Sequence, residues 1–96
     1  MNREQTLKKA NECVNGQRQQ DYGNPEDNFQ CIADLWTTYM GGQAVFTSMD
    51  VAMMMALLKV ARIASGTGTD DSFVDLAGYA ACAAELASKG KKKVNV

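Results

Sequence analysis

Lys59, Arg62, Asp71, Asp75 and Glu85 are the side chains of this 96-residue chain whose types and spacing could do chemistry. Asp71, Asp75, Gly78, Cys82 and Glu85 follow one another at steps of four, three, four and three, which on a helix makes one stripe. Lys59 and Arg62, three apart, share a face of the helical stretch before it. If the two stretches pair antiparallel about the short connection GTGTD, positions whose numbers sum to about 135 face each other, because both helices rise equally per residue. Lys59 then lies near Asp75, Arg62 near Asp71, and Asp50 near Glu85. Two chemistries stay open. The charges are structural ion pairs, or they line a pocket in which Asp75 with Asp50 or Glu85 holds Mg2+ while Lys59 or Arg62 meets a phosphate.

A second candidate is the loop Asp21 to Pro25, DYGNP, which leads into a helix start. Tyr22 and Asn24 there, Asn28 one turn on and Tyr79 on the last helix complete the ligand-binding candidates. The chain contains no His, which removes Ser-His-Asp and Cys-His nucleophilic catalysis and a zinc set built on imidazole. Metal-aided hydrolysis is the least demanding chemistry left by this inventory. Three cysteines, Cys13, Cys31 and Cys82, form no C-x-x-C motif and are expected as reduced thiols.

Four helices must position these groups. Leu7, Ala10, Cys13 and Val14 recur at helical spacing, predicting an amphipathic helix from Arg3 to Asn15 that Gly16 closes. Asn24 caps a second helix that starts at Pro25 and runs to about Met40, with Glu26 and Asp27 at its positive end and Phe29, Ile32, Trp36 and Tyr39 as its apolar stripe. The third begins at Ser48 behind Thr47, and Ser65 and Gly66 close it. It is apolar on nearly every side, the pattern of a central helix, and its consecutive Met53, Met54 and Met55 read as core filling. Asp50 there has a plain alternative role as the acidic half of a capping box with Thr47. The fourth runs from Asp71 to Lys89 past the flexible Gly68, with an Ala-rich face and a Gly78 that implies close packing or ligand access. No period-two strand pattern occurs, so the fold class is all-α.

A hydrophobic content of 46% with 22% charged residues describes a soluble globular chain, and 96 residues allow one helical domain over 1–90 with a basic tail at 91–96. The formal net charge of -1 conceals an acidic body: four of ten basic residues lie at 89 and 91–93, which leaves six against eleven acidic ones before them. Such a body argues against nucleic-acid binding, and the tail reads as a solvated terminus. The beginning of the chain lacks the apolar core of a signal peptide, and the stretch from Val51 to Ala64 is too short and charged to cross a bilayer, so a cytoplasmic protein is expected. Apolar surface left over by so small a fold predicts a homo-oligomer.

The ordered blocks DYGNPEDNF, IADLW, DVAMMMALLKVARIASG and DSFVDLAGYAACAAEL together resemble a family of small phage and prophage proteins of unassigned function, over roughly residues 17 to 88. The last two blocks also look like the all-helical MazG-type nucleotide pyrophosphohydrolases. That second resemblance implies a four-helix MazG-like bundle whose last two helices form an antiparallel hairpin, a nucleotide ligand and Mg2+. The acidic groups of those enzymes, Glu-Glu-x-x-Glu and Glu-x-x-Asp, are not reproduced: methionines stand at 53 to 55, and Asp71 and Asp75 are four apart. What carries over is a nucleotide-like ligand beside Lys59, Arg62 and Asp75, cleaved by a Mg2+-dependent enzyme or sequestered without catalysis. A purely structural or interaction domain is the remaining alternative.

Overall fold

In a computed structural model the described residues, 1–16 and 24–90, form four helices and no strand. They are α1 (Arg3–Asn15), α2 (Pro25–Tyr39), α3 (Ser48–Ala64) and α4 (Asp70–Gly90). The tail at 91–96 lies outside the described residues. Each of the first three helices begins where a side chain satisfies backbone N–H groups that the helix itself leaves unpaired. Asn2 Oδ1 accepts from Gln5 N–H at 2.8 Å while Gln5 Oε1 accepts from Asn2 N–H at 3.0 Å. Asn24 Oδ1 accepts from Glu26 N–H at 2.9 Å ahead of Pro25. Thr47 and Asp50 make the reciprocal box: Thr47 Oγ1 accepts from Asp50 N–H at 3.1 Å, and the Asp50 carboxylate accepts from Thr47 N–H at 2.9 Å. The structural alternative for Asp50 is therefore the one realised.

The helices pack in a chain of contacts. α4 lies most extensively against α3 and also against α1, and α2 packs on α3. Phe29 and Ala33 from α2, Val51 and Ala52 from α3, and Cys82 and Ala83 from α4 make the buried centre. Trp36 and Phe46 close one side edge to face, with ring centroids 5.7 Å apart. Thr37 Oγ1 accepts from Phe46 N–H at 2.8 Å, which pins the α2–α3 connection beneath that aromatic pair.

Three sequence expectations are corrected here. The stripe on α2 is carried by Phe29, Ile32, Ala33 and Trp36, whereas Tyr39 is 90% exposed. The three-residue step from Trp36 turns Tyr39 about 60° off that line, at the last residue of the helix. On α1 Ala10 is buried and Leu7 is exposed. Of the consecutive methionines only Met55 packs on the core, because successive helical side chains point about 100° apart and cannot share a face.

Glycines act at two of the closures. Gly66 takes a φ of 80° past the end of α3, a conformation that L side chains rarely adopt. Gly68 is there for a close approach rather than flexibility: a Cβ on it would lie 2.8 Å from Ile63 Cα.

Candidate functional site

The stripe predicted on α4 is real, and α1 divides it. Gly78 is buried at the crossing, where a Cβ would lie 3.3 Å from Val14 Cγ1 of α1. On the N-terminal side of the crossing, Asp71 and Asp75, one turn apart, line a half-open groove of about 640 Å³ with Lys9, Glu12 and Cys13 of α1. On the C-terminal side, Cys82, Glu85 and Lys89 line a second cleft of about 540 Å³ with Val14, Asn24 and Glu26.

Asp75 also reaches α3. Lys59 Nζ lies 3.1 Å from the Asp75 carboxylate, with the two side chains 18% and 36% exposed. Lys59 thus turns inward from an otherwise apolar stretch to meet its partner, as the register on the sequence requires. The other two expected pairings do not form. The ion pairs among the described residues are Lys59–Asp75, Lys89–Glu26, and the Met1 ammonium with Asp70 at 3.8 Å. Arg62 is exposed in the last turn of α3, where a cation suits the negative helix end. Asp50 is committed to its own helix start, and Glu85 belongs to the other cleft.

The proposed metal set Asp50, Asp75 and Glu85 is accordingly not assembled. Asp75 and Glu85 are ten residues apart on one helix, about 15 Å along its axis. Among the described residues no three Cys, Asp or Glu side chains converge as metal ligands. Of the ligand-binding candidates, Asp71 lines the first groove and Asn24 the second cleft. Asn28 is exposed on α2, and its N–H donates to the Asn24 carbonyl at 3.3 Å. Tyr79 stacks obliquely on Phe29, with ring centroids 6.0 Å apart, and so serves the core. Tyr22 lies outside the described residues.

Sequence reasoning missed the second cleft's own chemistry. Lys89 Nζ donates to both Glu26 oxygens at 2.6 Å, a contact that the reading of Lys89 as part of a solvated tail overlooks. Those bonds from Lys89 hold the Glu26 carboxyl below the usual carboxylate range, and the same contact pushes Lys89 up. Burial first, then the negative Glu85 and Glu26, pushes the Cys82 thiol up, which disfavours its nucleophilic thiolate form. Nothing in the spacing of Glu26 and Lys89 signals their meeting, since it depends on how α2 crosses α4.

The two sites differ in what they leave open. In the second cleft the cation is already held by Glu26, and the thiolate form of Cys82 is disfavoured. In the first groove Lys59 engages Asp75 from behind, while the exposed Asp71 and Lys9 face the opening. Lys9 and Lys59 against Glu12, Asp71 and Asp75 give this region two positive and three negative groups. This balance disfavours a free anion, and two carboxylates are chemically suited to a hydrated divalent cation.

Nearly all of the four helices falls within the span of one protein family. Residues 5–87 match the family defined as DUF6378, a domain of unknown function, and the chain belongs to that family. Among its relatives are the Gene 55 protein of Mycobacterium phage L5, 50% identical over 74 residues, and the Gene 55 protein of Mycobacterium phage D29, 42% identical over 80 residues. These alignments cover 77% and 82% of this chain but 47% and 51% of the relatives, so the chain spans about half the length of the proteins it matches. They bear out the resemblance to small phage proteins of unassigned function. No solved structure matches the chain. No helix among the described residues is long and apolar enough to cross a membrane.

Proposed function

We propose that this chain is a phage-derived, MazG-like helical protein that binds a nucleotide, or another phosphate-bearing small molecule, as its Mg2+ complex in the groove between α1 and α4. The observation that carries this reading is the placement of Asp71 and Asp75 one turn apart on a shared groove with Lys9 beside them. Carboxylates so spaced can take the waters or the open positions of a Mg2+ that arrives with phosphate, and a lysine supplies a point charge for the phosphate oxygens. Lys59 orients Asp75 from the other side.

In the same reading α3 and α4 are the antiparallel hairpin of a MazG-like bundle. Its support is that Lys59 meets Asp75, while Val51 and Ala52 share the buried centre with Cys82 and Ala83, so partners run in opposite directions along the two helices. Pyrophosphohydrolysis and sequestration share this binding step and differ in turnover. Either would act where nucleotides are, in the host cytoplasm.

A thermal-shift screen over nucleoside mono-, di- and triphosphates with and without Mg2+ tests the reading, followed by a pyrophosphate-release assay on any nucleotide that binds. Binding raises the melting temperature with ligand concentration, and Asp71→Asn and Lys9→Met each weaken that response. If no nucleotide at millimolar concentration with Mg2+ shifts the melt, the groove is not a nucleotide site. Lys59–Asp75 is then only a structural pair.

A further inference from the structure

Between its first and last turns the third helix turns its charge inward and an arc of apolar side chains outward. Between Val51 and Ala61 its one charged side chain, Lys59, turns inward to Asp75. The outward arc is Met53, Met54, Leu57, Leu58, Val60 and Ala61, with Leu57 62% exposed and the other four large side chains between 41% and 44%. Met49, 39% exposed, extends it toward the helix start. Between Val51 and Ala61 no polar side chain interrupts this arc, which a solvent-facing helix ordinarily fills with polar groups.

The size of the face fits association. Six such side chains, each about half exposed, amount to roughly 500 Å², near the top of the range for the largest apolar patch on a monomer, about 300–600 Å². Two copies joined through it would bury about 1,000 Å² of apolar surface, the area from which specific interfaces begin. The charges choose a direction. Asp50 lies in the first turn and Arg62 in the last, and both are exposed. A parallel pairing would set like charges side by side, whereas an antiparallel one sets Asp50 of one copy beside Arg62 of the other and opposes the helix dipoles.

We infer that the outer face of α3 is the interface with a second copy of this chain, the two α3 helices packing antiparallel about a twofold axis near Leu57. Such a pairing is isologous: Leu57 meets its own equivalent, and Met53 faces the small Ala61. The helix that is apolar all round then becomes central in the assembly, as its sequence requires, although it lies at the side of the single chain.

Sedimentation equilibrium over a dilution series, with circular dichroism as a check on folding, tests this. The unaltered chain is expected to be dimeric, and Leu57→Glu, at an exposed site that a folded monomer tolerates, is expected to raise the dissociation constant about tenfold or more with helicity kept. In a Cys31→Ser background, Leu57→Cys is expected to cross-link the two copies on oxidation. An unaltered chain that stays monomeric would overturn the inference and leave the face to a different protein. A dimer unaffected by Leu57→Glu, or one that Leu57→Cys does not cross-link, would overturn it by placing the contact elsewhere.

Discussion

The two ends of α4 each carry a lysine–carboxylate pair that joins distant parts of the chain, and the pairs are built differently. Lys59–Asp75 joins α3 to the N-terminal part of α4, half sheltered, at 3.1 Å. Lys89–Glu26 bridges the end of α4 to the start of α2 at 2.6 Å; here Glu26 is the sheltered partner, at 21% exposed, and the Lys89 side chain is half in solvent. The shorter contact is not the more consequential one. Water reaches the ammonium of the outer pair and screens it, so its closeness adds little, whereas the inner pair's ammonium loses most of its hydration on folding and depends on its carboxylate. The inner pair borders a groove that has a second lysine, Lys9, to spare, whereas the outer pair engages the lysine that lines its cleft and leaves Glu85 beside it.

Substitutions can break that contrast. The largest effect is expected for Lys59→Met or Asp75→Asn, each leaving a half-sheltered charge unpaired at a cost of about 1–2 kcal/mol, between the values for exposed and buried pairs. The double substitution should cost less than the sum of the singles, and urea unfolding of all four proteins measures that coupling. Equal, additive losses would make the pair incidental. Gly68→Ala should follow, at about 1 kcal/mol by the same assay, the low end of overpacking costs, since the added Cβ strikes the Ile63 backbone.

Glu26→Gln and Lys89→Met should have smaller effects that vanish in high salt, as the melting temperatures of the variants will report. The outer pair also predicts a pH response. Glu26 titrates below the usual range because Lys89 binds it, so its contribution is full above the ordinary carboxylate pKa and is lost as pH falls through the lowered value. Lys89 titrates above its usual range, so its contribution is full below the ordinary lysine pKa and is lost as pH rises through the raised value. The difference in stability between the unaltered chain and Glu26→Gln should therefore be flat through neutrality and shrink in acid. A difference that grew in acid would contradict the assignment. The smallest effect is expected for Gly78→Ala, where a helix-propensity gain of about 1 kcal/mol is offset by contact with a Val14 side chain that can shift.

The four helices were legible because their signals are local: Asn24 before Pro25, Thr47 three residues before Asp50, Gly16 and Gly66 at the closures. Helix type and approximate ends follow from caps and periodicity without knowledge of neighbours. Lys59–Asp75 was legible too, since a short connection fixes the register of two consecutive helices. The same register failed for Asp50 with Glu85 because a local bond won: the capping box held the Asp50 carboxylate before any partner across the helices could. Arg62 and Asp71 illustrate a different limit, being exposed side chains beside the turn with water as an equal partner. Glu26 and Lys89, 63 positions apart, were beyond reach because their meeting depends on the crossing of nonconsecutive helices. The outer face of α3 was visible as an apolar pattern but was assigned to the interior, since a sequence does not say whether a neighbour of that face belongs to the same chain.

The contrast between the two ends of α4 is tested most directly by backbone amide NMR during titration with a Mg2+–nucleoside triphosphate. The account predicts concentration-dependent shifts confined to the groove, at Lys9, Asp71, Asp75 and their helix neighbours, with Asn24, Glu26 and Lys89 unmoved. Shifts centred on Asn24, Glu26 and Lys89, or none anywhere at saturating ligand, would contradict it.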